Sequence, residues 1–157
     1  MLLNHIFFNR PVLEVASDLL GKFLVRKYPS GALRPFGAAQ GKQAQGKIAG
    51  VITEVEAYDG PDDKASHASR GMTERNKIMF GPAGYFYVYL VYGTHWMLNI
   101  VTGEEGYPAA VLIRGVQYLE VGLPDIEGPG RVTKFLHIDK KLNGRPACRE
   151  SGLWFED

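Results

Sequence analysis

The chain has 157 residues, of which 45% are hydrophobic and 22% charged, with a formal net charge of +1. That length suits one domain spanning residues 1–157 and is short for two. The composition is that of a soluble globular protein, the balanced charge by itself predicts no polyanionic partner, and no apolar run approaches the ~18–20 residues of a membrane span.

The opening Met1-Leu2-Leu3-Asn4-His5 carries no basic region and reaches Arg10-Pro11 without an apolar segment, so no secretory signal is expected. Residues 11–21 read as a helix: Val12, Val15, Ala16, Leu19 and Leu20 recur at helical spacing, Pro11 suits the first turn and Gly21 the stop. Lys22 to Tyr28 alternates apolar and basic residues as a strand does. Residues 29–47, rich in Gly, Ala, Gln and Lys, have little to bury and read as a mobile hairpin loop.

Gly50 to Tyr58 reads as a strand, with Val51, Val55 and Ala57 on one side and Ile52, Glu54, Glu56 and Tyr58 on the other. Asp59-Gly60-Pro61 ends it in a turn. Lys64 to Arg75 is polar, a loop or a short helix. Tyr85–Tyr92, Leu98–Thr102 and Ala109–Tyr118 are three further strands, the last two joined through Gly103-Glu104-Glu105-Gly106. A short helical stretch follows around Val132 to Leu136. Strands outnumber helices and most joins are tight, so the expected class is α+β, a curved, mainly antiparallel sheet flanked by a few helices.

The lone Cys148 excludes an internal disulfide and a cysteine-built zinc site, which fits a cytoplasmic setting. No second His or Cys stands at metal-ligand spacing, and neither a metal nor another cofactor is expected. The charges are unevenly spread. Residues 1–50 carry seven bases against two acids (+5), residues 51–130 eleven acids against five bases (−6), and the remainder +2. An acidic, aromatic middle between basic flanks suits a site whose rim meets phosphates while its interior handles protons. Scattered solvated bases would read the same way.

Glu54 and Glu56 share one strand face, the arrangement in which crowding and burial can tune a general base, although an acidic solvent-facing strand has the same pattern. Tyr85, Tyr87, Tyr89 and Val91 alternate with Phe86, Val88, Leu90 and Tyr92. A central strand buried on both sides would look like this, yet three tyrosines on one face are a heavy polar load for a plain core, and a ring-binding pocket would explain them. Tyr92, just before Gly93, could act as a wedge between bases. His67 lies in a polar loop, where a histidine is commonly incidental. Asn99 sits on a short apolar strand, where bonding to neighbouring backbone is the plain role. Arg114 falls inside an apolar run and needs an anionic partner, for which Glu56 is the candidate.

Taken in order, Ile52-Thr53-Glu54-Val55-Glu56-Ala57-Tyr58, His67, Arg75-Asn76, Met79-Phe80, Tyr87-Val88-Tyr89-Leu90-Val91-Tyr92-Gly93, Leu98-Asn99-Ile100, Val111-Leu112-Ile113-Arg114 and Gly128-Pro129-Gly130 resemble the alkyladenine (3-methyladenine) DNA glycosylases of the mammalian type. The likeness runs from the N-terminal helix to about Asn143. It implies removal of alkylated or deaminated purines, 3-methyladenine and hypoxanthine among them, from double-stranded DNA by base flipping. Water would be the nucleophile, with neither metal nor cofactor, and no obligatory protein partner is implied. Glu56 matches the general base and Arg114 the arginine that orients it. Tyr58, His67 and Tyr89 match the walls around the flipped base, Asn99 the residue that crowds a purine 2-amino group, and Tyr92 the intercalating side chain. Tyr85 and Tyr87 are left to packing.

Three features depart from that pattern. The loop Pro29–Lys47 is longer, the stretch from Leu119 to Gly128 is abbreviated, and the sequence stops at Asp157 where the family continues. The last departure leads one to expect an open sheet edge. A damaged-DNA-binding protein without catalysis and a small-molecule nucleoside hydrolase are the competing readings.

Overall fold

The computed structural model describes residues 1–28, 46–118 and 125–157. The expected loop at 29–47 therefore lies outside the described residues as far as 45, and so does most of the abbreviated stretch after Tyr118.

The fold is α+β, with a curled antiparallel sheet at its centre. Two helices come first, α1 (His5–Phe8) and α2 (Val12–Leu19). Helix α2 buries Val12, Val15, Ala16 and Leu19, the stripe its apolar spacing predicts. Then follow β1 (Phe23–Lys27), β2 (Lys47–Asp59), β3 (Phe86–Val91), β4 (His95–Val101), β5 (Ala109–Tyr118), β6 (Ile126–Glu127), α3 (Pro129–Phe135) and β7 (Leu153–Glu156). The strand order is β3-β4-β5-β2-β1-β7, with β6 paired to β5.

Period-two alternation gives the sheet two different faces. Phe86, Val88, Leu98, Ile100, Val111 and Ile113 point to the main core, which α2 and α3 cover. Their neighbours Tyr87, Tyr89, Val101 and Ala110 form a smaller apolar cluster on the opposite face, closed by Ala68 and Met79. The candidate site occupies that second face.

Ile52 departs from the expected side. It belongs to the main core together with Val55 and Ala57, not with Glu54 and Glu56. The cause is a bulge: the β2–β5 register shifts between Ile52 and Glu54 and again between Glu54 and Val55. One extra residue reverses the parity downstream. Ile52 can then face the core while Glu54, Glu56 and Tyr58 face away from it. Gly115 makes the bulge possible, because a Cβ there would stand 2.8 Å from Thr53 Oγ1 and 3.0 Å from the Glu54 Cβ.

The C-terminal residues pair antiparallel along β1 as strand β7, which is the last strand in the sheet order. Leu153, Trp154 and Phe155 are buried there. Arg26 of β1, itself only 6% exposed, secures this region. It donates from Nε to the Leu136 carbonyl at 2.9 Å, from Nη1 to Gly152 at 3.1 Å and from Nη2 to His137 at 3.2 Å. Burial lowers its pKa, and the nearby Asp139 works against that shift.

Candidate active site

The site is assembled from β2, β3, β4, β5 and the connection between β2 and β3. Arg114, on the second face of β5, reaches across to β2 and meets both acids. Its Nη1 donates to Glu56 Oε2 and its Nε to Glu54 Oε1, each at 2.9 Å. Glu56 is the partner expected for Arg114; the second bond, to Glu54, is additional. These contacts raise the Arg114 pKa, led by the hydrogen bond to Glu54 and offset in part by desolvation. An arginine so placed stays charged and holds the Glu56 carboxylate in a fixed direction.

Tyr58, two residues along β2 from Glu56, lies on the same strand face as that carboxylate. Burial first, then the neighbouring Glu56 carboxylate, push its phenol well above the ordinary tyrosine value. Its hydroxyl therefore stays protonated and available as a donor.

Beyond Tyr58 opens a narrow slot lined by Tyr58, Ala65, His67, Met79, Tyr87, Tyr89 and Asn99. Four of the predicted residues thus stand around one cavity. His67 starts a 3-10 turn (His67–Arg70) that Ser66 caps by accepting the Ala68 amide. This is the short helix that the polar stretch after Lys64 left open. The His67 and Tyr89 rings meet edge-on with centroids 4.5 Å apart, and Tyr87 and Tyr89 lie 5.1 Å apart. Asn99 is fully buried and donates from Nδ2 to the Tyr87 carbonyl at 3.2 Å.

Tyr87 is not mere packing. It lines the slot, its hydroxyl contacts His67 Nδ1 at 3.2 Å, and burial pushes its pKa up to about 12. Its parity with Tyr89 on β3 is the signal that could have found it. Tyr85, which shares that parity, does stay outside the slot; it forms an isolated bridge to Pro146. Arg75 is a second residue that the sequence did not single out. Its Nη2 donates to the Leu90 carbonyl at 2.7 Å, and its guanidinium stands 5.5 Å from the Tyr89 centroid. Burial, and then this cation, lower the His67 pKa.

Tyr92 stands apart from the slot, at the tip of the β3–β4 hairpin. It is 93% exposed. Tyr92 and Gly93 both take positive φ, 52° and 68°, closing a turn in which the Thr94 amide donates to the Val91 carbonyl at 3.1 Å. Such turns ordinarily place Asn, Asp or Gly where this one carries a tyrosine.

Fold and site together define an α+β protein with a carboxylate–arginine pair beside an aromatic slot and an exposed tyrosine on a neighbouring turn. The model of the methylpurine-DNA glycosylase family matches residues 6–157. A protein of Methanocella arvoryzae, provisionally named a 3-methyladenine DNA glycosylase, is 43% identical, the alignment covering 96% of this chain and 74% of the relative. Proteins with the same provisional name from Streptomyces avermitilis and a Wolbachia of Brugia malayi are 42% and 46% identical, over 96% and 87% of this chain and 70% of each relative. The chain belongs to the methylpurine-DNA glycosylase family.

Proposed function

We propose that this chain is a monofunctional hydrolase of base-excision repair that removes damaged purines, 3-methyladenine and hypoxanthine among them, from double-stranded DNA and leaves an abasic site. The observation that carries the reading is Arg114 holding Glu56 at 2.9 Å at the side of an aromatic slot. A purine buried in a duplex cannot reach such a slot, so the nucleotide must rotate out of the stack, which costs less for a damaged base. Tyr58, His67 and Tyr89 all line the slot, the last two in edge-on contact, and would enclose the flipped base. Electron-rich rings favour a purine made cationic by alkylation. The Asn99 side chain crowds the 2-amino group that guanine would bring. Tyr92 fills the gap in the stack.

In the chemical step the C1′–N9 bond breaks and its electron pair passes to the purine. In an alkylated base that pair neutralises the ring's positive charge; in hypoxanthine it gives a purine anion that takes up a proton from solvent as it leaves. The sugar becomes oxocarbenium-like, and the Glu56 carboxylate stabilises it. Water bonds to C1′, and its proton passes to Glu56. No lysine lines the slot among the described residues, which favours water over a protein amine as the nucleophile.

The test compares base release from a duplex carrying one hypoxanthine with release from free inosine, at low and high salt. Release from the duplex, suppressed by salt and at least about tenfold faster than from the nucleoside, is the expected result. Equal, salt-insensitive rates would make the chain a nucleoside hydrolase. Binding without release would make it a damage-recognition protein.

A further inference from the structure

The geometry points to Glu54 as a positioning residue: it fixes the plane of the Arg114 guanidinium so that Arg114 grips only one oxygen of Glu56. This inference rests on the hydrolase reading of Glu56. A guanidinium is a rigid planar fork that, left alone beside a carboxylate, pairs with both oxygens at once. Here the fork is divided. The Nε edge is taken by Glu54 Oε1 and only Nη1 reaches Glu56, at Oε2. The arginine therefore leaves the other Glu56 oxygen unclasped, and a base that must accept a proton from water needs such an oxygen. Without Glu54, Nε and an Nη could close together on Glu56 and occupy both.

The backbone is shaped for this division. The bulge around Glu54 sets that residue opposite Gly115 while Glu56 stands opposite Leu112, so Arg114 falls between the two acids. Gly115 keeps the approach open, since a Cβ there would crowd Thr53 and Glu54. Glu54 has little structural work beyond this. Its side chain is 53% exposed, and an ion pair so open to solvent contributes little to stability. Glu54→Gln should therefore fold normally.

The experiment measures single-turnover release of hypoxanthine and affinity for the lesion duplex in the wild type, Glu54→Gln, Arg114→Ala, the double variant and Glu56→Gln. Glu54→Gln is expected to release base roughly tenfold more slowly, a partial form of the ~100-fold loss that a full 1 Å misplacement of a reacting group can produce. Its DNA affinity should be unchanged or tighter, because a negative charge near the phosphates is gone. In the Arg114→Ala background Glu54→Gln should cost nothing further, since Glu54 acts through that arginine. Three results overturn the inference: full-rate release by Glu54→Gln while Glu56→Gln is inactive, losses that multiply in the double variant, or a parallel fall in affinity and rate. Full-rate release by Glu56→Gln would instead remove the hydrolase reading, and the positioning role with it.

Discussion

His67 shows how a residue with no signal of its own acquires a role from its neighbours. In the sequence it is one histidine in a polar loop. In the fold its ring edge meets Tyr89, its Nδ1 meets the Tyr87 hydroxyl, and Arg75 stands close enough to disfavour a second positive charge. Burial and that cation hold its pKa below 6.5, so the ring is neutral at pH 7 and a cationic purine would meet no like charge there. The sign for stability follows. With the folded value below the unfolded one, the unfolded chain binds more protons, so this contribution is present above the unfolded pKa of about 6.5 and is lost as pH falls towards the folded value. An NMR titration of the His67 ring should give a midpoint below 6.5, moving upward in Arg75→Gln. A midpoint above 6.5, or one indifferent to Arg75, would contradict this electrostatic picture. Tyr87 teaches a related lesson. Alternation placed it on a face with Tyr89, but alternation cannot tell a tyrosine packed under a sheet from one lining a cavity. That distinction depends on Ala65, His67 and Met79, which come from a different part of the chain.

At the scale of elements, two local irregularities place the functional groups. The β2 bulge reverses side-chain parity and keeps Glu54, Glu56 and Tyr58 away from the core while Ile52 enters it. A single-sequence pattern could not show this, because its marker, Gly115, lies on the partner strand. The β3–β4 turn is the other irregularity. A non-glycine residue in the left-handed region costs about 1–2 kcal/mol, and Tyr92 is held there at φ 52° with its side chain in solvent. Stability alone does not account for that choice; the role proposed for Tyr92, a wedge directed at a DNA duplex, would. Replacing Tyr92 with Gly is expected to raise unfolding stability by about 1 kcal/mol while weakening lesion binding and slowing base release. Denaturant unfolding and an affinity measurement check both signs, and unchanged affinity would remove Tyr92 from the interface. Strand β7 escaped the sequence reading because Leu153 to Glu156 offers only four residues of pattern. Its identity as a strand comes from the pairing with β1.

For the whole molecule, a sheet with two differently used faces explains why the architecture was more legible than the site. Strands β3, β4 and β5 announced themselves through apolar runs and turn glycines, and α2 through its spacing. The second face is polar, aromatic and discontinuous in sequence, so its coherence came from the family likeness and not from periodicity. Glu56 and Arg114 are 58 residues apart in the chain and meet only because β2 and β5 pair. The net charge of +1 conceals a similar division: an acidic middle that supplies the site and more basic segments around it.

In the proposed reaction Glu56, held by Arg114, activates the water that releases the base. The most direct measurement is single-turnover release of hypoxanthine from a duplex by the wild type and by Glu56→Gln, with the affinity of each for the same duplex measured in parallel. Glu56→Gln is expected to slow release at least about 100-fold while affinity is kept or increased. Release by Glu56→Gln at the wild-type rate would contradict that role.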